Sequence, residues 1–108
     1  MYRRLLEASF PDETKYKLEF HPKALDEFDA QTNAIQQQLI KKLGSILQHP
    51  KTPKNALRGA LAGCYKVKLG SAGVRLVYRV IDSRLVVLVM EVGKRADNEF
   101  YKIAEGRA

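Results

Sequence analysis

At 108 residues with 45% apolar side chains, the chain is sized for one compact domain with a modest core, which excludes a disordered segment and a second sizeable domain. Its longest apolar run, Leu85 to Met90, is far too short to span a membrane, and the lone Cys64 excludes an internal disulfide or a cysteine-based metal site. The net charge of +7 is one-sided, with seven Lys/Arg against seven Asp/Glu in residues 1–50 and twelve against five in residues 51–108, a surplus that favours polyanions such as RNA, DNA or the ribosome.

Residues 1–14 show no clear period and end in Pro11-Asp12-Glu13-Thr14, so they read as an extension before a domain of residues 15–108. Met1 to Phe10 lacks the long apolar stretch of a secretion signal, which together with the single cysteine points to the cytoplasm. Lys15 to Phe20 alternates, with Tyr16, Leu18 and Phe20 on one side and Lys15, Lys17 and Glu19 on the other: a half-buried strand. Pro22 opens a short helix with Leu25 and Phe28 as its buried stripe. A second helix runs from about Asn33 to Gln48. Its apolar positions are Ile35, Leu39, Leu43, Ile46 and Leu47, with Gln36, Gln37, Lys41 and Lys42 facing water and Pro50 and Pro53 ending it.

The loop from Lys51 to Gly63 carries Leu57 and Leu61 as anchors. Cys64 to Leu69 and Val74 to Ile81 then read as a β-hairpin closed by Gly70-Ser71-Ala72-Gly73. Asp82-Ser83-Arg84 turns the chain into Leu85 to Val92, apolar at nearly every position and so a central strand covered on both faces. Ala96 to about Ala104 reads as a short closing helix. The pattern predicts an α/β (α+β) fold: an N-terminal strand, a helical hairpin, then a three-stranded antiparallel meander that completes a four-stranded sheet.

The hairpin carries the candidate chemistry. If Leu69 faces Val74, then Lys68 pairs with Arg75, Lys66 with Val77 and Cys64 with Arg79. Lys66, Lys68, Arg75 and Arg79 then share one face, and Tyr65, Val67, Leu69, Val74, Leu76 and Tyr78 the other. Like charges directly opposed in a sheet are destabilising, so Lys68 opposite Arg75 is not a choice made for stability. A solvated strand face would explain the alternation, but not the absence of any acidic residue on that face. Lys94 and Arg95 follow the central strand, and Tyr101 lies on the closing helix, where packing or simple exposure would equally account for a lone tyrosine.

Other chemistries find no support. His21 and His49 flank the helical hairpin and read as capping or surface residues. The acidic residues are too scattered for a two-metal nuclease, and Gly70 to Gly73 lacks the length and the Lys-Ser/Thr ending of a phosphate-binding loop. Phosphate chemistry here would have to run on Lys, Arg and Tyr, with neither metal nor cofactor.

Four segments together resemble the RelE-type toxins of the RelE/ParE superfamily. They are Leu57-Arg58-Gly59, Cys64-Tyr65-Lys66-Val67-Lys68-Leu69, Gly73-Val74-Arg75-Leu76-Val77-Tyr78, and Val92-Gly93-Lys94-Arg95 with Tyr101. The resemblance spans about Tyr16 to Tyr101 and implies the toxin of a type II toxin–antitoxin module: an endoribonuclease that cuts messenger RNA at the ribosomal decoding site by 2′-hydroxyl attack on the scissile phosphate. Its implied functional residues match Lys66, Lys68, Arg75, Arg95 and Tyr101, and Arg58 matches a further basic position suited to contacting RNA. Lys94 and, outside the family's set, Arg79 are expected as further RNA contacts. Crowded cations are the condition under which a lysine pKa falls far enough for base work. Lys68 and Lys66 are therefore expected to supply base and charge stabilisation, Arg75 to bind the phosphate, Arg95 to stand on the leaving-group side and Tyr101 to orient a base. The implied partners are a RelB-like antitoxin, the ribosome with its messenger RNA, and operator DNA only through the antitoxin complex, with no membrane. Asp26, Glu27 and Asp29 stand on a helix that is often more basic in related toxins, and Gly70 replaces a frequently basic hairpin position; both bear on ribosome binding rather than on cleavage. The same fold also serves ParE-type proteins that bind DNA gyrase without nuclease chemistry, and a non-catalytic nucleic-acid-binding module is a third reading. The retained Lys, Arg and Tyr set favours the nuclease.

Overall fold

In a computed structural model that describes residues 15–70, 73–94 and 97–107, a four-stranded mixed sheet carries helices on both faces. The order along the chain is β1 (Lys17–Phe20), α1 (Pro22–Asp29), α2 (Asn33–Gln48), β2 (Cys64–Leu69), β3 (Val74–Ile81), β4 (Val86–Gly93) and α3 (Asp97–Arg107). Across the sheet the order is β1-β4-β3-β2. The expected antiparallel meander is formed by β2, β3 and β4, while β1 adds to β4 in parallel, which the intervening helical hairpin makes possible. The expected extension of residues 1–14 lies outside the described residues.

The helical hairpin covers one face. Ala24 and Phe28 of α1 and Leu39, Ile40, Leu43 and Leu47 of α2 are buried against Leu69, Val74, Leu76, Tyr78, Val87, Val89 and Val92 of the sheet. The stripe of α1 is therefore Ala24–Phe28, four residues apart, and Leu25 is only half-buried, because four rather than three residues bring side chains nearly into line on a helix. Gln36 does not simply face water. Its side-chain amide donates to the carbonyls of Phe28, Asp29 and Gln31, which lie at and just beyond the end of α1. Thr32 caps α2 by accepting from the Ile35 amide at 3.3 Å, and the His21 ring caps α1 by accepting from the Lys23 amide at 3.1 Å.

Helix α3 covers part of the opposite face. Phe100 and Ala104 are buried there with Leu61, Cys64, Val77 and Met90, and Leu57 packs alongside, so both loop anchors sit beneath the terminal helix. With helices on both faces, β4 is buried along its length apart from half-buried Leu88, as its nearly continuous apolar run requires. The strand begins at Val86, not Leu85. Leu85 takes a left-handed conformation (φ 53°) in the turn and is exposed, so the first residue of the apolar run belongs to the connection. That turn is fastened by Asp82, which accepts from the Tyr16 hydroxyl at 2.8 Å and pairs with Lys51 at 2.7 Å.

Tyr78 ties the loop after α2 to the centre of the sheet. Its hydroxyl donates to the Pro50 carbonyl at 2.7 Å, and its ring stacks on Tyr65 with centroids 5.3 Å apart. Burial pushes the phenol up to about 12, so it remains a neutral donor. Tyr78→Phe keeps the ring but strands that carbonyl, and should lower stability by about 1–2 kcal/mol in urea unfolding. An unchanged midpoint would show that the carbonyl finds another partner.

Candidate active site

The hairpin register is the one anticipated from its loop. Leu69 faces Val74, Lys68 faces Arg75, Lys66 faces Val77 and Cys64 faces Arg79. Gly73 adopts φ 68° and its amide bonds to the Leu69 carbonyl at 2.9 Å, a turn geometry that suits a residue without a Cβ. Residues 71 and 72 at the tip lie outside the described residues.

Adding β4 sorts the basic face into rows. The row nearest the hairpin tip reads Lys68, Arg75, Gly93; the next reads Lys66, Val77, Glu91; the third reads Cys64, Arg79, Leu88. Lys68 and Arg75 are thus direct cross-strand neighbours, and Gly93 places no side chain beside the Arg75 guanidinium. Lys68 is exposed and Lys66 and Arg75 are half-buried, with one guanidinium nitrogen of Arg75 buried. Lys94 follows Gly93 at the same end of the sheet and is exposed. Arg95, expected beside it, lies outside the described residues.

Arg79 does not join that cluster. It is four residues from Arg75, roughly 13 Å along the strand, and is exposed next to Cys64 and Leu88. On β3 the residue between the two arginines is Val77, which is buried with Cys64 and Met90 against Phe100 and Ala104 of α3. Tyr101 is half-buried at the margin of this contact, its ring edge-on to Phe100 at 6.1 Å. The helix therefore brings Tyr101 to the face that bears the lysines. Arg58 is exposed at the start of the turn Gly59–Leu61, whose Leu61 is buried under the same helix. Burial pushes the Cys64 thiol up, with a smaller opposing pull from Arg79, so this cysteine is a packing residue rather than a nucleophile.

One residue on this face escaped the reading of the hairpin alone. Glu91 of β4 is fully buried and shares the row of Lys66 and Val77. The register slips between Val77 and Tyr78, so that Val77 faces Glu91 while Tyr78 faces Val89 and Met90 is left as the extra residue. Without that bulge, strict alternation from Val87 and Val89 would send residue 91 to the helical-hairpin face. A charged residue inside an otherwise apolar strand was the available signal. Among the described residues, no three His, Cys, Asp or Glu side chains converge as a metal site, and no helix is long and apolar enough to cross a membrane.

Comparison with known proteins agrees with this geometry. Residues 18–99 match the family described as ParE toxin of type II toxin–antitoxin system, parDE. The mRNA interferase toxin RelE of Escherichia coli K12 is 46% identical over 92 residues, covering 85% of this chain and 96% of that protein. Among solved structures, an E. coli RelE variant in the free state superposes with a TM-score of 0.78 at 44% identity, covering 86% of this chain and 97% of the other. The toxin in the intact E. coli RelBE toxin–antitoxin complex superposes with a TM-score of 0.72 at 46% identity, over 75% of this chain and 98% of the other.

Proposed function

The chain belongs to the RelE/ParE family of type II toxins, and from that premise we propose that it is a ribosome-dependent mRNA interferase whose catalytic face is the Lys68–Arg75 row with Lys66 and Tyr101. The observation that carries this reading is the register itself: two like charges directly opposed, a third one row away, and an aromatic side chain carried to the same face by α3. Such opposition costs stability, and a phosphate between the side chains would remove the cost.

In the proposed reaction the ribose 2′-oxygen attacks the adjacent phosphorus while the bond from phosphorus to the 5′-oxygen breaks. The products are a 2′,3′-cyclic phosphate and a 5′-hydroxyl. The 2′ proton must be accepted and the leaving oxygen must gain one. Lys68 and Lys66 take the roles of base and charge stabilisation, and Arg75 holds the phosphate oxygens as negative charge accumulates on the phosphorane. Arg95 serves the leaving-group side by charge, since arginine is a poor proton donor. Tyr101 stacks on or orients a base. Arg58 and Lys94, both exposed, contact the RNA backbone, while Arg79 is too far down the sheet to reach the scissile phosphate.

A solved relative is a RelBE toxin–antitoxin complex, and we extend that partnership to this chain: a RelB-like antitoxin covers the basic face or displaces α3, and operator DNA is met only through the complex. The gyrase-binding reading is the weaker one, because curated relatives at this similarity are named mRNA interferases. Brief induction in growing cells separates the two. Translation should stop first, with new 5′-hydroxyl ends appearing within messenger coding regions and DNA supercoiling unchanged. Loss of supercoiling while protein synthesis continued would replace the nuclease reading with gyrase inhibition.

A further inference from the structure

The pairing of β1 with β4 ends at the His21 amide, which donates to the Val89 carbonyl at 2.8 Å. Beyond it, β4 runs on to Gly93, and among the described residues no strand pairs with it on that side. Two side chains bond its backbone there. Glu27 of α1 accepts from the Val92 amide at 3.1 Å, and Arg107, the last residue of α3, donates to the Met90 carbonyl at 3.0 Å. The two side chains also meet each other fork to fork, Nη1 to Oε1 at 2.7 Å and Nη2 to Oε2 at 3.0 Å. Their side chains are only 11% and 16% exposed, unlike the surface pairs Lys51–Asp82 and Arg84–Glu19. A paired, water-shielded Arg–carboxylate fork is directional, and losing one partner leaves a buried charge and one backbone group without its bond.

The placement of this pair matters because of what α3 carries. The helix is joined to β4 through residues 94–96 at its start, and its fully buried described side chains are Phe100 and Ala104. Two anchors, one of them an alanine, make a thin apolar face for an 11-residue helix. Tyr101 lies between the covalent tether and the ion pair. We propose that Glu27 and Arg107 form a latch that holds α3 across the catalytic face and so act as positioning residues for Tyr101. The role assigned to Tyr101 rests on the interferase reading; the latch itself does not.

The test combines amide hydrogen exchange with single-turnover cleavage of a messenger in programmed ribosomes, at saturating toxin and well below the unfolding temperature. Arg107→Gln should raise exchange along α3 by about tenfold or more while β3 and β4 stay protected, and should slow cleavage by about tenfold. Combined with Tyr101→Ala, it should slow cleavage no further, because both changes remove the same contribution. Arg107→Lys, which keeps the charge and loses the fork, should fall between; it replaces the glutamine variant if β3 and β4 also lose protection. Unchanged exchange in α3 would overturn the latch. Loosened exchange with full cleavage, or additive losses in the double variant, would overturn its positioning role. A wild-type protein that fails to cut would instead overturn the interferase reading, and the exchange data would still decide the latch.

Discussion

Arg75→Ala should slow the cleavage step about a hundredfold, equivalent to about 3 kcal/mol of lost transition-state stabilisation. The size follows from where the side chain sits. Arg75 faces Lys68 in the row nearest the hairpin tip, with one guanidinium nitrogen already buried and Gly93 leaving the next strand bare. A guanidinium fixed there needs little reorganisation when charge builds on a phosphorane. Lys68→Ala should be comparably slow. Arg79→Ala, on the same face but two rows away, should stay within about twofold of wild type, as expected for an exposed cation beyond hydrogen-bond reach. The comparison belongs under single-turnover conditions at saturating toxin, where losses of binding do not register. A generic basic surface would give three similar small effects, and that result would remove the assigned roles.

The contrast between Arg75 and Arg79 also shows which parts of the molecule were legible in the sequence. A short glycine-bounded loop fixes the register of a hairpin, and strand alternation fixes its faces, so the pairing of Lys68 with Arg75 could be read from the chain. The central place of β4 followed from its apolar continuity, and the end of α2 from Pro50. The covering of Val77 between Arg75 and Arg79 could not be read, because Phe100 and Ala104 come to lie against it through tertiary packing. Glu91 was hidden for a related reason: a bulge at Met90 moves it onto the basic face, and bulges leave little trace in a single sequence. Leu85 looked like strand because it is apolar, yet the turn at Asp82–Arg84 needs it in a left-handed conformation.

Glu27 is the clearest case of a residue misread by composition. It stands with Asp26 and Asp29 among the acids of that helix, but its carboxylate accepts from the Val92 amide of β4 and receives Arg107 of α3. An ion pair between residues 27 and 107 has no local signature. Of the three acids that mark this helix as different from a basic ribosome-binding one, only Asp26 and Asp29 are exposed.

In the proposed reaction this face cuts RNA by using the RNA's own 2′-hydroxyl as nucleophile, with charge supplied by lysine and arginine. Replacing that hydroxyl by hydrogen at the cut position removes the attacking atom but leaves the phosphate, the base and the contacts of Lys66, Lys68 and Arg75 in place. No rearrangement of the protein substitutes for the missing oxygen, so the expected loss is complete rather than partial. The direct measurement is single-turnover cleavage in programmed ribosomes of two messengers that differ only in a 2′-deoxy ribose at the cut position, with the ribosome's own magnesium held constant. The all-ribose messenger should be cut to a 2′,3′-cyclic phosphate and a 5′-hydroxyl while the deoxy messenger remains intact. Cleavage of the deoxy messenger, or a 5′-phosphate on the product, would rule out attack by the ribose, because either result requires water or another nucleophile in its place.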